Sequence, residues 1–105
     1  MVNRYIFAVA LSLAAIPASR ASSHLIWSED KHFSVVELSV AVGDTVVFAN
    51  EDNVIHNFFS SSGENRFNLR PLNPGHQSAV VFSKAGSVLI RCALHPTMKM
   101  NLLVE

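Results

Sequence analysis

Short apolar runs separated by turn residues dominate the chain after residue 24, and this region has no helical periodicity over a useful length. The runs are rich in β-branched and aromatic residues and end in clusters of glycine, proline, asparagine and serine, as β-strands do. The predicted strands are 24–27, 35–40, 45–49, 54–59, 78–82, 87–92 and 99–104. Short strands with turns at intervals of about 8–12 residues indicate a sandwich or a barrel. We therefore predict an all-β domain.

Alternation along the last two predicted strands assigns their faces. Ile90 and Cys92 lie on the side opposite to Arg91, because successive side chains of a strand point to opposite faces. Arg91 must reach solvent, so we expect Cys92 to face inward at the end of its strand. The same rule places Met98 and Met100 together on one side of the last strand.

The segment Lys84-Ala85-Gly86 separates the predicted strands 78–82 and 87–92. A short connection that contains glycine is typical of a β-hairpin. We therefore predict that these two strands are antiparallel neighbours.

The first residues have the three parts of a secretory signal peptide. Arg4 supplies a positive start, an apolar run follows over 5–16, and Ser19 and Ala21 supply the small residues of a cleavage site. We predict export to the periplasm with cleavage after Ala21. The alternative is an uncleaved membrane anchor, but the apolar run is shorter than the ~20 residues that span a bilayer. The predicted organisation is a signal peptide over 1–21 and one domain over 22–105.

Charge and cysteine content narrow the function classes. Loss of 1–21 removes Arg4 and Arg20 but no acidic residue, which leaves six basic against eight acidic side chains and a formal charge of −2. The domain has no basic patch of the kind that nucleic acid requires, so we predict no nucleic-acid partner. Cys92 is the single cysteine, so no internal disulfide can form. It is either a liganding or reactive thiol or a small buried hydrophobe.

The neighbours of Cys92 favour the liganding role. Cys92, His95 and Met98 place a thiolate, an imidazole and a thioether in one loop between two strands. Thiolate and imidazole ligands with a weak axial thioether are typical of an electron-transfer copper site. A second imidazole is needed, and His56 is the best candidate because it follows a polar loop in an apolar run. Zinc is less suitable, because structural zinc sites use four Cys or His ligands.

Three segments resemble the plastocyanin–amicyanin group of cupredoxins. Residues 42–50 are similar to the strand that precedes the first histidine ligand in that group, and His56-Asn57 is similar to its His-Asn pair. The third segment begins at Lys84-Ala85-Gly86 and ends in the ligand loop 92–98. The loop spacing is closer to amicyanin than to plastocyanin, whose loop holds two more residues before the methionine.

The resemblance implies a Greek-key β-sandwich of about seven short strands that binds one copper ion, Cu(I) or Cu(II), as a blue type 1 centre. It implies His56, Cys92, His95 and Met98 as ligands. It also implies that Asn57 ties the ligand loops together and that Leu94 and Pro96 form an apolar docking surface around His95.

The implied function is one-electron transfer between redox protein partners that dock transiently. We expect a monomer that is not an enzyme and has no small-molecule substrate. The alternative is a periplasmic protein that delivers copper, which the pair Met98 and Met100 would support because thioethers retain Cu(I). A Cys-x-x-His-x₄-Met spacing would nominate Met100 as the axial ligand, and we favour Met98 because alternation suggests that Met100 packs inward.

His24, His32 and His76 lie outside the predicted ligand set, and we interpret them separately. Cleavage after Ala21 would leave the amino terminus Ser22-Ser23-His24, and a free terminus with histidine third can wrap Cu(II) in square-planar nitrogen coordination. The alternative is that the position of His24 is coincidental. His32 and His76 have no partners in the sequence, and we predict both on the surface.

Overall fold

The computed structural model describes residues 21–105, so the predicted signal peptide lies outside the described residues except for Ala21. Within the described part the chain contains β-strands and no helix, which confirms the predicted all-β class. No helix there is long and apolar enough to cross a bilayer. The strands are β1 Ser23–Glu29, β2 His32–Phe33, β3 Glu37–Val40, β4 Asp44–Asn50, β5 Phe58–Ser60, β6 Phe67–Asn68, β7 Gln77–Phe82, β8 Gly86–Cys92 and β9 Lys99–Val104.

These strands form the two sheets of a sandwich. One sheet has four strands in the order β2-β1-β4-β7, and the other has five in the order β3-β9-β8-β5-β6. The pairs β1/β4 and β3/β9 are parallel, and the remaining pairs are antiparallel. The predicted sandwich is confirmed. The structure adds β2 and β6, which have two residues each and are too short to give a pattern in sequence.

The predicted hairpin of β7 and β8 is wrong. β7 pairs with β4 in the four-stranded sheet, whereas β8 lies between β9 and β5 in the other sheet. The connection over 83–85 therefore crosses from one sheet to the other. Gly86 begins β8 with a φ of 145°, a backbone conformation that side chains other than glycine rarely adopt.

Alternation places the core between the two sheets. In β8 and β9 every second side chain is buried, as the sequence predicts. Phe48 and Phe58 are almost fully buried, with ring centroids 6.0 Å apart, and they connect the facing sheets. Aromatic side chains contribute large apolar areas to such cores. β4 and β8 both end at the same end of this core, where the polar loop after Asn50 and the loop after Cys92 meet.

Candidate metal centre

The loop between β4 and β5 is shaped by a buried amide. The Asn50 side chain is inaccessible to solvent, and its Nδ2 donates to the carbonyls of Val54 and Leu72, each at 2.8 Å. Its Oδ1 accepts hydrogen bonds from Ser28 Oγ and the Asp52 backbone N–H. A buried amide with these partners gives the loop one defined conformation.

His56 lies within this loop and not in a strand. The strand predicted over 54–59 begins only at Phe58, and His56 forms an isolated bridge with Leu72. The Leu72 backbone N–H donates to the His56 carbonyl at 2.7 Å. The imidazole is fully buried and stacks on Phe58 with a centroid distance of 5.4 Å. Both backbone and ring of His56 are therefore held in place.

Asp52 fixes the proton of this imidazole. His56 Nε2 lies 2.6 Å from Asp52 Oδ2, and the backbone N–H groups of Asp30 and Lys31 also donate to the carboxylate. Burial alone would raise the pKa of Asp52, but the hydrogen bonds from His56 and from the two backbone N–H groups hold that pKa below its usual value. An ionised carboxylate only accepts hydrogen bonds, so Nε2 carries the proton and Nδ1 keeps its lone pair.

Cys92 ends β8 with a buried thiol, opposite Phe58 in the register. The Asn57 backbone N–H donates to Cys92 Sγ at 3.4 Å, and the Asn57 carbonyl accepts from the backbone N–H of Ala93 at 2.9 Å. Asn57 therefore joins the two loops through its main chain. Its side chain donates to Asn68 Oδ1 at 2.8 Å and holds the neighbouring β6 segment.

The donors of three predicted ligands converge. Cys92 Sγ lies 3.5 Å from His56 Nδ1 and 3.7 Å from His95 Nδ1, and the three ligand atoms lie within 4.8 Å of one another. For bonds of about 2.3 Å to sulfur and 2.0 Å to nitrogen, donors around one ion stand roughly 3.7 Å apart. One thiolate and two imidazoles at this spacing fit a copper ion, which accepts soft and borderline donors.

The register distinguishes the two methionines. Arg91 pairs with Lys99 and Ile90 pairs with Met100, so the same register continued places Met98 opposite Cys92. Both methionines are buried. Met100 pairs with Ile90, two residues before Cys92 along β8, and so lies farther into the core than the thiol. The Met98 backbone N–H also donates to the His95 carbonyl at 2.9 Å, which closes the loop into a turn. This arrangement favours Met98 over Met100 as the axial ligand.

The centre reaches the surface beside one histidine. His56, Cys92 and Met98 are buried, whereas His95 is partly exposed. Leu94 and Pro96, the residues predicted to form a docking surface, are exposed on either side of it, and the Leu94 side chain is 54% accessible. Ile55, next to His56 in the chain, is also exposed. The least buried of the candidate ligands thus lies among exposed apolar side chains.

His24, His32 and His76 are not among the three clustered donors. His32 and His76 are exposed, as predicted. His24 Nε2 lies 2.8 Å from Asp44 Oδ2, and the same carboxylate accepts from the Ser22 backbone N–H at 2.8 Å and from the Ala41 backbone N–H. A copper site built from the terminus at Ser22 would have to displace the bond from the Ser22 nitrogen to Asp44.

One contributor to the site was not predicted from the sequence. Asp52 stands four residues before His56 in the polar loop after β4. A carboxylate beside a candidate histidine ligand is a usable signal, because ligating imidazoles commonly donate their second N–H to a carboxylate. The loop also contains Glu51, so sequence alone does not say which carboxylate turns inward.

Comparison with solved structures finds copper proteins. The chain is 28% identical to a purple cupredoxin from Nitrosopumilus maritimus, with 78% of this chain and 99% of that one covered and a TM-score of 0.68. It is 26% identical to amicyanin from Paracoccus versutus, with 88% and 87% covered and a TM-score of 0.72. The sequence matches no protein-family model, and no curated protein is a significant match.

A longer protein shares the fold. A copper-containing nitrite reductase from Thermus scotoductus aligns over 87% of this chain with a TM-score of 0.75 and 24% identity. The chain spans only 24% of that enzyme's length, and identity at this level shows the fold alone.

Proposed function

We propose that this chain, a cupredoxin similar to amicyanin, is an exported one-electron carrier that holds a single copper ion. His56, Cys92 and His95 are the strong ligands in this proposal. Met98 is the weak axial ligand, and Met100 is a core residue. The observation that carries the proposal is the convergence of three buried or partly buried donor atoms within 4.8 Å, of which only His95 lies at the surface.

The residues around the centre support a site that changes little with oxidation state. When bound, copper supplies a one-electron couple between Cu(I) and Cu(II). Asp52 keeps the proton of His56 on Nε2, and the Asn57 N–H stabilises negative charge on the Cys92 thiolate. Burial of His56, Cys92 and Met98 keeps bulk water away from these three side chains. Amicyanin has been solved in an oxidised state and in a reduced Cu(I) form, which supports the same use here.

A spectrum tests the copper proposal directly. The protein loaded with Cu(II) should show a strong visible thiolate-to-copper charge-transfer band and a reversible one-electron wave in voltammetry. The variant Cys92→Ala should lose both, because it lacks the thiolate. A colourless Cu(II) protein, or a band that survives in Cys92→Ala, would contradict the proposal.

The copper-delivery alternative is not favoured. Its support in the sequence is the pair Met98 and Met100, but the register places Met100 beside Ile90 and not beside Cys92. The rate at which the protein loses Cu(I) to a chelator distinguishes the two functions. An electron carrier should retain Cu(I) against a soluble chelator over many redox cycles, whereas a delivery protein should release it within one.

Export and transient partners complete the proposal. The signal-peptide pattern over 1–21 supports a periplasmic location, and the exposed Leu94 and Pro96 beside His95 support brief docking of redox proteins. Cell fractionation with mass spectrometry of the mature chain tests the location. Recovery of the full-length chain in the cytoplasm would overturn this part without affecting the copper site.

A further inference from the structure

Two cations face each other on the outer side of the five-stranded sheet. Arg91 of β8 pairs directly with Lys99 of β9. Residues that pair directly point to the same face of a sheet. Both side chains are exposed. Arg91 directly precedes Cys92 and Lys99 directly follows Met98, so both lie at the end of the sandwich that holds the candidate metal centre, which we call the copper end. We call Arg91 and Lys99 the basic row.

No carboxylate compensates the basic row within the described residues. The carboxylate ion pairs there are His24–Asp44 and His56–Asp52, so neither cation has a carboxylate oxygen within 4.0 Å. Glu37 lies on the same face but pairs with Asn101, one row farther from the ligand loop. Like charges that face each other across two strands destabilise a sheet. The basic row therefore creates a local positive potential and does not stabilise the fold.

The opposite side of the copper end is acidic. Glu29 ends β1, Asp30 and Lys31 form the turn after it, and Glu51 and Asp52 follow β4 beside them. Glu29, Asp30 and Glu51 are exposed, whereas the Asp52 side chain is only 7% exposed. The backbone N–H of Asp30 donates to Asp52, which keeps the two acidic segments together. The candidate metal centre thus lies between the basic row and a side on which three exposed carboxylates outnumber Lys31, although residues 22–105 carry a formal charge of only −2.

We propose that the redox partner presents an acidic surface, which the basic row orients against the exposed edge of His95. This inference rests on the proposed electron-carrier function. Charges at the rim of an interface raise the association rate and select one orientation, whereas apolar contacts hold the complex. Arg91 and Lys99 supply the charge, and Leu94 and Pro96 beside His95 supply the apolar contact.

A carboxylate-terminated monolayer on gold serves as the acidic surface in the test. The copper-loaded protein should adsorb at low salt, give a reversible copper couple, and desorb at high salt as screening increases. The double variant Arg91→Gln/Lys99→Gln should bind roughly fivefold more weakly, as expected for the loss of two exposed charge contacts. Its visible spectrum should be unchanged.

Matched single variants separate position from net charge. Lys99→Gln and Lys84→Gln remove the same charge, but Lys84 lies in the connection between β7 and β8, away from the ligand loop. Lys99→Gln should weaken adsorption and slow electron transfer, whereas Lys84→Gln and Lys99→Arg should behave like the unmodified protein. Equal effects of Lys99→Gln and Lys84→Gln, or no adsorption of the unmodified protein, would overturn the inference.

The two readouts keep this inference distinct from the function on which it rests. Adsorbed mass, followed with a quartz microbalance, does not depend on the metal. A position-dependent effect on mass with no copper couple would support the basic row and contradict the electron carrier. A normal couple with no dependence on position would contradict the basic row alone.

Discussion

His56 Nε2 and Asp52 Oδ2 lie 2.6 Å apart, and this contact joins a candidate copper ligand to the turn at Asp30 and Lys31. The carboxylate makes the imidazole a stronger donor, which stabilises Cu(II) more than Cu(I). Asp52→Asn should therefore raise the reduction potential. A tenfold relative loss of Cu(II) affinity corresponds to a rise of about 60 mV.

Voltammetry of the copper-loaded variant measures this shift, and Asp44→Asn is a matched control. Asp44 also contacts a histidine, at 2.8 Å, but it begins β4 at the end of the sandwich away from the centre. The control should keep the original potential. An unchanged potential in Asp52→Asn with an intact visible spectrum would show that the contact only supports the loop.

The two methionines should respond differently to the same substitution. Met98→Leu removes the proposed axial thioether, so we expect an altered visible spectrum and a higher reduction potential. Met100→Leu keeps the volume of a core residue, so it should leave the spectrum unchanged and cost less than about 1.5 kcal/mol of unfolding free energy. The opposite pattern would identify Met100 as the ligand.

Asp44 should make the protein less stable in acid. Hydrogen bonds from the Ser22 backbone N–H, the His24 side chain and the Ala41 backbone N–H lower the pKa of Asp44 from 3.8 to about 2. The folded state therefore binds fewer protons than the unfolded state between these values. The stabilisation by Asp44 is complete above about pH 5 and is lost progressively as the pH falls towards 2.

Denaturant unfolding of the copper-loaded protein and of Asp44→Asn at several pH values measures this effect. The difference in unfolding free energy should be constant from pH 5 to 7 and should shrink below pH 4. A difference in unfolding free energy that does not depend on pH would mean that the charge of Asp44 does not contribute to stability.

The amino-terminal copper hypothesis predicts a competition at Asp44. Square-planar binding at a terminus Ser22-Ser23-His24 needs the Ser22 nitrogen, which Asp44 holds at 2.8 Å. We expect the mature protein to bind a second Cu(II) weakly and Asp44→Asn to bind it more tightly, as followed by calorimetry. Mass spectrometry that finds any other mature terminus would remove the hypothesis.

The ligand loop could be predicted because its chemistry is local. Cys92, His95 and Met98 stand close together in the sequence, and β alternation gives the inward side of the flanking strands. His56 could be inferred from the need for a second imidazole. The comparisons confirm the resemblance to cupredoxins that these residues suggested.

What could not be predicted depends on contacts between distant segments. A connection such as Lys84-Ala85-Gly86 suits a hairpin and a crossover equally, because turn residues set the local backbone and not the partner of the next strand. The role of Asp52 depends on N–H groups more than twenty positions earlier in the chain. The pairing of Arg91 with Lys99 likewise requires the register of β8 and β9.

The contact between Ser22 N and Asp44 has a consequence for maturation. Cleavage after Ala21 would turn the Ser22 amide into an ammonium group at the same carboxylate, 2.8 Å away, and a hydrogen bond would become an ion pair. The next residue already belongs to β1, paired with Thr45. The new terminus would thus be held by Asp44 as soon as cleavage forms it, with no free tail for an aminopeptidase. Processing would strengthen the fold at the end farthest from the candidate metal centre.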